Sequence, residues 1–77
     1  MNMIEIEKPA SIAVIGEEVG GVSAVVLHHD NGFEPAIRHG LDGSFWISEI
    51  PWRLSIQDAM QFARRMAGIA FEPGLTI

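Results

Sequence analysis

Residues 55–68, SIQDAMQFARRMAG, decide the fold of this chain. At about 100° per residue, Ile56, Ala59, Met60, Ala63, Met66, Ala67 and Ala70 fall within an arc of roughly 120°, and Phe62 widens it to about 160°. Gln57, Asp58, Gln61, Arg64 and Arg65 share the opposite side. Ser55 is placed as N-cap, its hydroxyl accepting from the otherwise unpaired amide of Asp58, whose carboxylate lies near the positive end of the helix dipole. Arg64 and Arg65 are expected to face the negative pole, and Gly68 to stop the helix. The spacing predicts a helix over residues 55–67 with one apolar stripe, which must be buried against another layer.

That layer lies upstream. Residues 11–16, SIAVIG, are a compact β-branched run, and residues 22–29, VSAVVLHH, are the longest strand candidate. Residues 33–39 return, and residues 44–50, SFWISEI, make a further strand that Pro51 ends. Asn31-Gly32 between extended runs signals a hairpin, because both central residues of a type I′ turn need positive φ. Pro35 lacks a ladder donor and is expected to confine the first half of the return strand to an irregular or edge position. Ile4 and Ile6 alternate with Glu5 and Glu7 as a short strand or extended arm, and the tail, residues 70–77, is a candidate edge strand. These elements predict one α+β domain over residues 1–77, an antiparallel meander of three to four strands with a C-terminal helix packed on one face.

The hydrophobic pattern sets the register. A two-residue turn at Asn31-Gly32 pairs Val26 with Ile37 and turns Val22, Ala24, Val26 and Ile37 toward the helix. If the loop after His39 holds three or five residues, Phe45 and Ile47 join that face; a loop of two or four would put Trp46 and Ser48 there instead. The first arrangement is uniformly apolar and is the expected one. It leaves Ile15, Val25, Leu27, Arg38 and Trp46 on the other side, with Arg38 over the Trp46 ring. One helix covers one side only, so these five residues are expected to associate with the same face of a second chain. A hydrophobic fraction of 48% and a mean hydropathy of +0.23, high for a chain this short, point the same way. Phe33 and Phe45 read as core, and Trp52 as packing where helix and sheet meet.

Ten acids against five lysines and arginines give a net charge of −5, which argues against nucleic acid or an anionic membrane as the main ligand. No apolar run approaches the roughly 18 residues of a membrane span, and Glu5 and Glu7 stand where a secretory signal would carry basic residues, so a cytoplasmic location is expected. Gly16, Gly20 and Gly21 are followed by no Lys-Ser or Lys-Thr and do not make a phosphate loop. There is no cysteine, and no serine sits in a nucleophile elbow. His28 and His29, adjacent on a strand, project to opposite faces, so only one of them could join a cluster with His39, Asp30 and Glu34, and no His-x-x-x-His spacing exists; neither metal nor cofactor is expected.

The chain therefore reads as a non-enzymatic protein-binding module. Glu17, Glu18, Asp30, Glu34 and Asp42 fall in or beside turns and form the expected partner-binding surface, acidic and matched to a basic groove. Reversing Glu17, Glu18 and Glu34 to lysine is expected to abolish binding while leaving the fold intact. A homodimeric structural or accessory subunit is the alternative, and a small metal-dependent enzyme is a second.

An acidic chain of this size, with a meander over residues 12–48, one helix over residues 55–67 and no catalytic motif, resembles small phage-encoded inhibitors of the anti-CRISPR kind. The resemblance implies stoichiometric binding to a CRISPR effector complex in the host cytoplasm, blocking DNA entry at a positively charged channel. It rests on composition and element order and assigns no role to any single residue.

Overall fold

The computed structural model describes residues 2–7, 9 and 11–71, the last three by backbone alone. Five strands, β1 (Met3–Ile6), β2 (Ile12–Ile15), β3 (Val22–His29), β4 (Gly32–His39) and β5 (Phe45–Ser48), precede one helix, α1 (Ile56–Phe71). All neighbours are antiparallel, in the order β1-β5-β4-β3-β2. The fold is thus the expected α+β sheet with one C-terminal helix, and Ile4 and Ile6 belong to a fifth strand beyond the meander. Of the proposed edge strand over residues 70–77, Ala70 and Phe71 belong to α1, and the remainder lies outside the described residues.

The step from β1 to β2 forces the sheet to curl. Ile6 is level with Phe45, Arg38 and Ser23, whereas Ile12 is level with Leu27. On a flat sheet the link would cross four strand gaps, about 19 Å, while moving four residues along β3, about 13 Å, a diagonal of roughly 23 Å. Six residue steps reach at most about 20–22 Å when fully extended. The two edge strands must therefore bend toward each other, and the concave side fills with its own side chains. Val25 and Ala36 are fully buried there, Leu27 and Phe45 nearly so, with Ile6 and Ile47 packed against them.

On the opposite side α1 crosses β3 and β4. Ala59, Ala63 and Met66 are completely buried, and Met66 joins Val22 and Ile37 in a cluster bordered by Met3, Trp46, Phe62 and Ala67. The alanines let the helix approach closely; Met66 fills what remains. The Asp58 amide donates to Ser55 Oγ at 3.1 Å, so the cap is as expected. The stop is not. Gly68 has no positive φ, its missing Cβ would meet open space, and the helix runs through it to Phe71. An exposed glycine costs a helix about 1 kcal/mol, which weakens it there without ending it. Consequently Arg64 and Arg65 lie well before the last turn, which holds no basic residue, and do not face the negative pole.

Three register expectations change. The β3–β4 hairpin pairs His29 with Gly32 across Asp30-Asn31, so Val26 meets Pro35 and not Ile37. Neither turn residue has positive φ; Gly32 takes it, at 141°. The slip is two residues, an even number, and Val22, Ala24, Val26 and Ile37 keep the helix side.

Pro35 sits inside β4, the central strand, and is fully buried. By the alternation of ladder bonds its missing amide faces β5, where pairing stops at Ala36 with Ile47. Two residues earlier Phe33 exchanges both backbone bonds, each 2.9 Å, with Leu54 of the linker before α1. Proline therefore occupies the gap between two ladders, where no donor is needed.

The loop from β4 to β5 holds four residues, 40–43, closed by His39 N–H to Ser44 O at 2.9 Å and Gly43 N–H to His39 O at 2.8 Å. An even loop turns Trp46 toward the helix beside Ile37 and Phe45 and Ile47 to the concave side, the reverse of the expected arrangement. The helix side tolerates the mixture because its polar atoms are paired. Trp46 Nε1 donates to Ser44 Oγ at 2.9 Å, and Ser48 Oγ accepts from the Ile50 amide at 3.2 Å. The edge of Trp46 meets His39. Arg38 lies on the other face, reaching over Gly43, and does not stack on Trp46.

No described helix is long and apolar enough to cross a membrane.

Candidate functional site

The curled sheet has two ends, and the five acids proposed for partner binding do not share one. At the end where β2 leads into β3 and β4 into β5, Gly40 N–H donates to Gly21 O at 2.8 Å and ties the two loops together. The Glu18 carboxylate packs over Gly40, where a Cβ would fall 2.6 Å from Oε1. Glu17, Glu18 and Asp42 are all exposed there, and Glu5, Glu7 and Asp42 line one cavity of about 530 Å³ with Arg38. Asp30 is exposed at the far hairpin, about 25 Å away along an eight-residue strand.

Two apolar side chains stand among these acids. Leu41, between Gly40 and Asp42, is fully exposed at 102%, and Val19 is exposed in the facing loop. Neither stands out by periodicity; the available signal in the sequence is a leucine inside GLDG, where a turn asks for no apolar residue.

Asp42 also shapes its loop. The Ser44 hydroxyl, followed by the Ser44 amide that donates to Oδ1 at 2.9 Å, holds the Asp42 carboxyl below its ordinary value of 3.8. A depressed carboxylate favours the folded loop above the ordinary range and loses that contribution as pH falls through the folded value. Ser44→Ala is expected to raise the pKa of Asp42 toward the ordinary value, read by carboxyl-carbon NMR titration. An unmoved titration would show that the hydroxyl has no part in it.

Glu34 belongs to neither end. It is 4% exposed on the concave face, where His29 Nε2 lies 2.7 Å and Arg53 Nη1 3.5 Å from the same oxygen, Oε1. Arg53 also donates from Nε to Asn31 Oδ1 at 3.0 Å and from Nη1 to Trp52 O at 2.8 Å. With the Phe33–Leu54 bonds, this cluster clamps the linker before α1 onto the β3–β4 hairpin. It borders a cavity of about 400 Å³ walled by Ile6, Leu27, Ile47 and the prolines 9 and 51. As a side chain buried and engaged in this way, Glu34 offers a partner no surface. Reversing it would report on folding, contrary to the expectation that it can be changed freely.

The histidines separate as their strand positions require. His28 stacks on Phe33, with ring centroids 5.0 Å apart, His29 meets Glu34, and His39 meets Trp46. Among the described residues no three histidine or acidic side chains converge on a point where a metal could sit. Trp52 packs on Phe62 of α1 at 5.1 Å.

Of the five residues expected to self-associate, Val25 and Leu27 are buried within a single chain, Trp46 is on the helix side and Arg38 is half-buried at the acidic end. Only Ile15, at 51%, is broadly exposed. The surface imagined for a second chain is therefore not formed by these residues together, because the curl of the sheet already covers its centre.

Comparison with protein-family models, with curated proteins and with solved structures returns no match for this chain.

Proposed function

We propose that this chain is a non-enzymatic binding module that docks the acidic end of its sheet on a basic, nucleic-acid-binding surface of a partner protein. The observation that carries the reading is the pair of tied loops at one end of the sheet, where the Glu18 carboxylate packs over Gly40 beside the exposed Leu41 and Asp42, with Glu17 exposed in the same loop as Glu18 and bordering a cavity with Arg64 of α1. Exposed carboxylates accept charge-assisted bonds from arginine and lysine and steer the encounter, while a projecting leucine supplies apolar contact that pure charge pairing lacks. Because the loops are cross-bonded, little ordering cost is added on binding. The resemblance to anti-CRISPR inhibitors names a partner to try first, a CRISPR effector complex whose DNA channel the acidic end would occupy in the host cytoplasm.

The test measures target-DNA binding by purified, guide-loaded effector complexes with and without the chain. Wild type is expected to compete with DNA, more weakly as salt rises. The combined substitution Glu17→Lys, Glu18→Lys and Asp42→Lys is expected to weaken competition by at least about tenfold, mostly through slower association. Reversal of Asp30 and Glu49 at the far end should leave it nearly unchanged. Equal loss from both variants would reduce the effect to net charge; no competition by wild type would remove this partner.

A further inference from the structure

The two edges of the sheet are built differently. The outer edge of β1 presents Glu5, and Glu7 follows it, charges that deter pairing with another strand. Among the described residues the outer edge of β2 has no such guard: residues 11–16, Ser-Ile-Ala-Val-Ile-Gly, carry no charge and no proline. Ile12 is 38% exposed and Ile15 51%, and Ala13 between them is exposed as well. On the helix side Val14 continues into Met60 and Ile56 around a shallow cavity of about 420 Å³.

The backbone at this edge is also set up for pairing. Gly16 N–H bonds to Ala24 O at 2.7 Å and His28 N–H to Ser11 O at 3.1 Å, so positions 11 and 16 turn their bonds inward. By alternation Ile12 and Ile15, paired with Leu27 and Val25, turn both N–H and C=O outward. The bulge between Ile12 and Val14 absorbs the extra residue, so these two outward positions are one strand repeat apart despite their spacing in sequence.

We propose that a second copy of this chain pairs with β2 edge to edge, antiparallel about a two-fold axis, to make one continuous ten-stranded sheet. In that register Ile12 stands opposite Ile15 of the second copy, and Ile15 opposite its Ile12. Each pair exchanges two backbone bonds and the four isoleucines form cross-strand apolar contacts on one face. Self-complementarity selects the occupant, because the two outward positions Ile12 and Ile15 match each other about a two-fold axis, and charge limits where two copies can meet. Two molecules of net charge −5 repel wherever their acids meet, and this edge is a place where they touch without opposing them. Glu17 and Glu18 of each copy lie past Ser11 of the other, beyond the paired segment. The dimer leaves both acidic ends free, so it does not depend on the binding role proposed above.

Sedimentation equilibrium of the whole chain at micromolar concentration, with hydrogen exchange of the Ile12 and Ile15 amides, tests this. The expected result is twice the 8.4 kDa mass of the chain, with both amides protected at high concentration and exchanging freely on dilution. Ile15→Lys should weaken association at least tenfold, whereas Ile4→Lys on the guarded edge should not; circular dichroism checks that both variants fold. A monomer at every concentration overturns the proposal. So does a dimer whose Ile12 and Ile15 amides exchange as fast as in dilute solution, which would mean pairing through another surface.

Discussion

Glu34→Lys is expected to destabilise the fold by about 3 kcal/mol, the low end for an uncompensated buried charge, because His29 and Arg53 are each about a third exposed and can turn toward solvent. The substitution removes the acceptor for both and places an ammonium beside the Arg53 guanidinium on a face otherwise walled by Leu27 and Ile47. It also releases the linker before α1 from the hairpin. For a chain of this length the midpoint of thermal unfolding should fall by roughly 12–24 °C. Glu34→Gln keeps an acceptor without charge and should cost about 1–2 kcal/mol. Calorimetry of both decides the matter: equal and small losses would mean that the carboxylate is solvated and the clamp contributes nothing.

Met66→Ala should cost a similar amount, about 3 kcal/mol within the 2–5 expected for truncating a buried aliphatic side chain. Met66 is fully buried at the centre of the contact between α1 and the sheet, against Val22 and Ile37. Ala59 and Ala63 already bring the helix into close approach, so the void cannot close by a further small shift. Met66→Leu conserves volume and should cost less than about 1.5 kcal/mol. Urea unfolding with an unchanged slope is the measurement. A loss below 1 kcal/mol for the alanine variant would mean that α1 is not docked through this residue. Since domains of this size have only about 5 kcal/mol or a little more in hand, either variant should be partly unfolded well below the wild-type midpoint.

Much of the fold was legible because it rests on periodicities that survive rearrangement. The stripe through Ala59, Ala63 and Met66 has one solution, and Ser55 caps it by local geometry alone. The hairpin slipped by two residues without moving a side chain to the wrong face, which is why Val22, Ala24, Val26 and Ile37 were placed correctly despite the wrong partners. Loop parity was not legible in the same way. Residues 40–43 admit even and odd closures from their composition, and the choice by apolar uniformity failed because Trp46 and Ser48 can satisfy their polar atoms locally, through Ser44 and the Ile50 amide. Pro35 misled for a related reason. Its cost depends on whether a donor is wanted at that point, and that is set by where β5 ends and Leu54 begins, more than ten residues downstream.

The candidate site divides along the same line. Acidic loops could be read from composition, but their grouping could not. The loops that carry Glu17, Glu18 and Asp42 are brought to one end by a backbone bond between Gly40 and Gly21, while Asp30 is carried to the other end and Glu34 into the interior. By itself the sequence determined an amphipathic helix with its cap, strands with a helix-facing set, and the surplus of negative charge, since each follows from local spacing and counting. Only the tertiary structure decided the curl of the sheet. A link of a few residues between its two outermost strands cannot span them flat, and bending them inward buries Val25, Leu27 and Glu34, while Leu41 of the tied loops and Ile15 at the edge of β2 stay exposed.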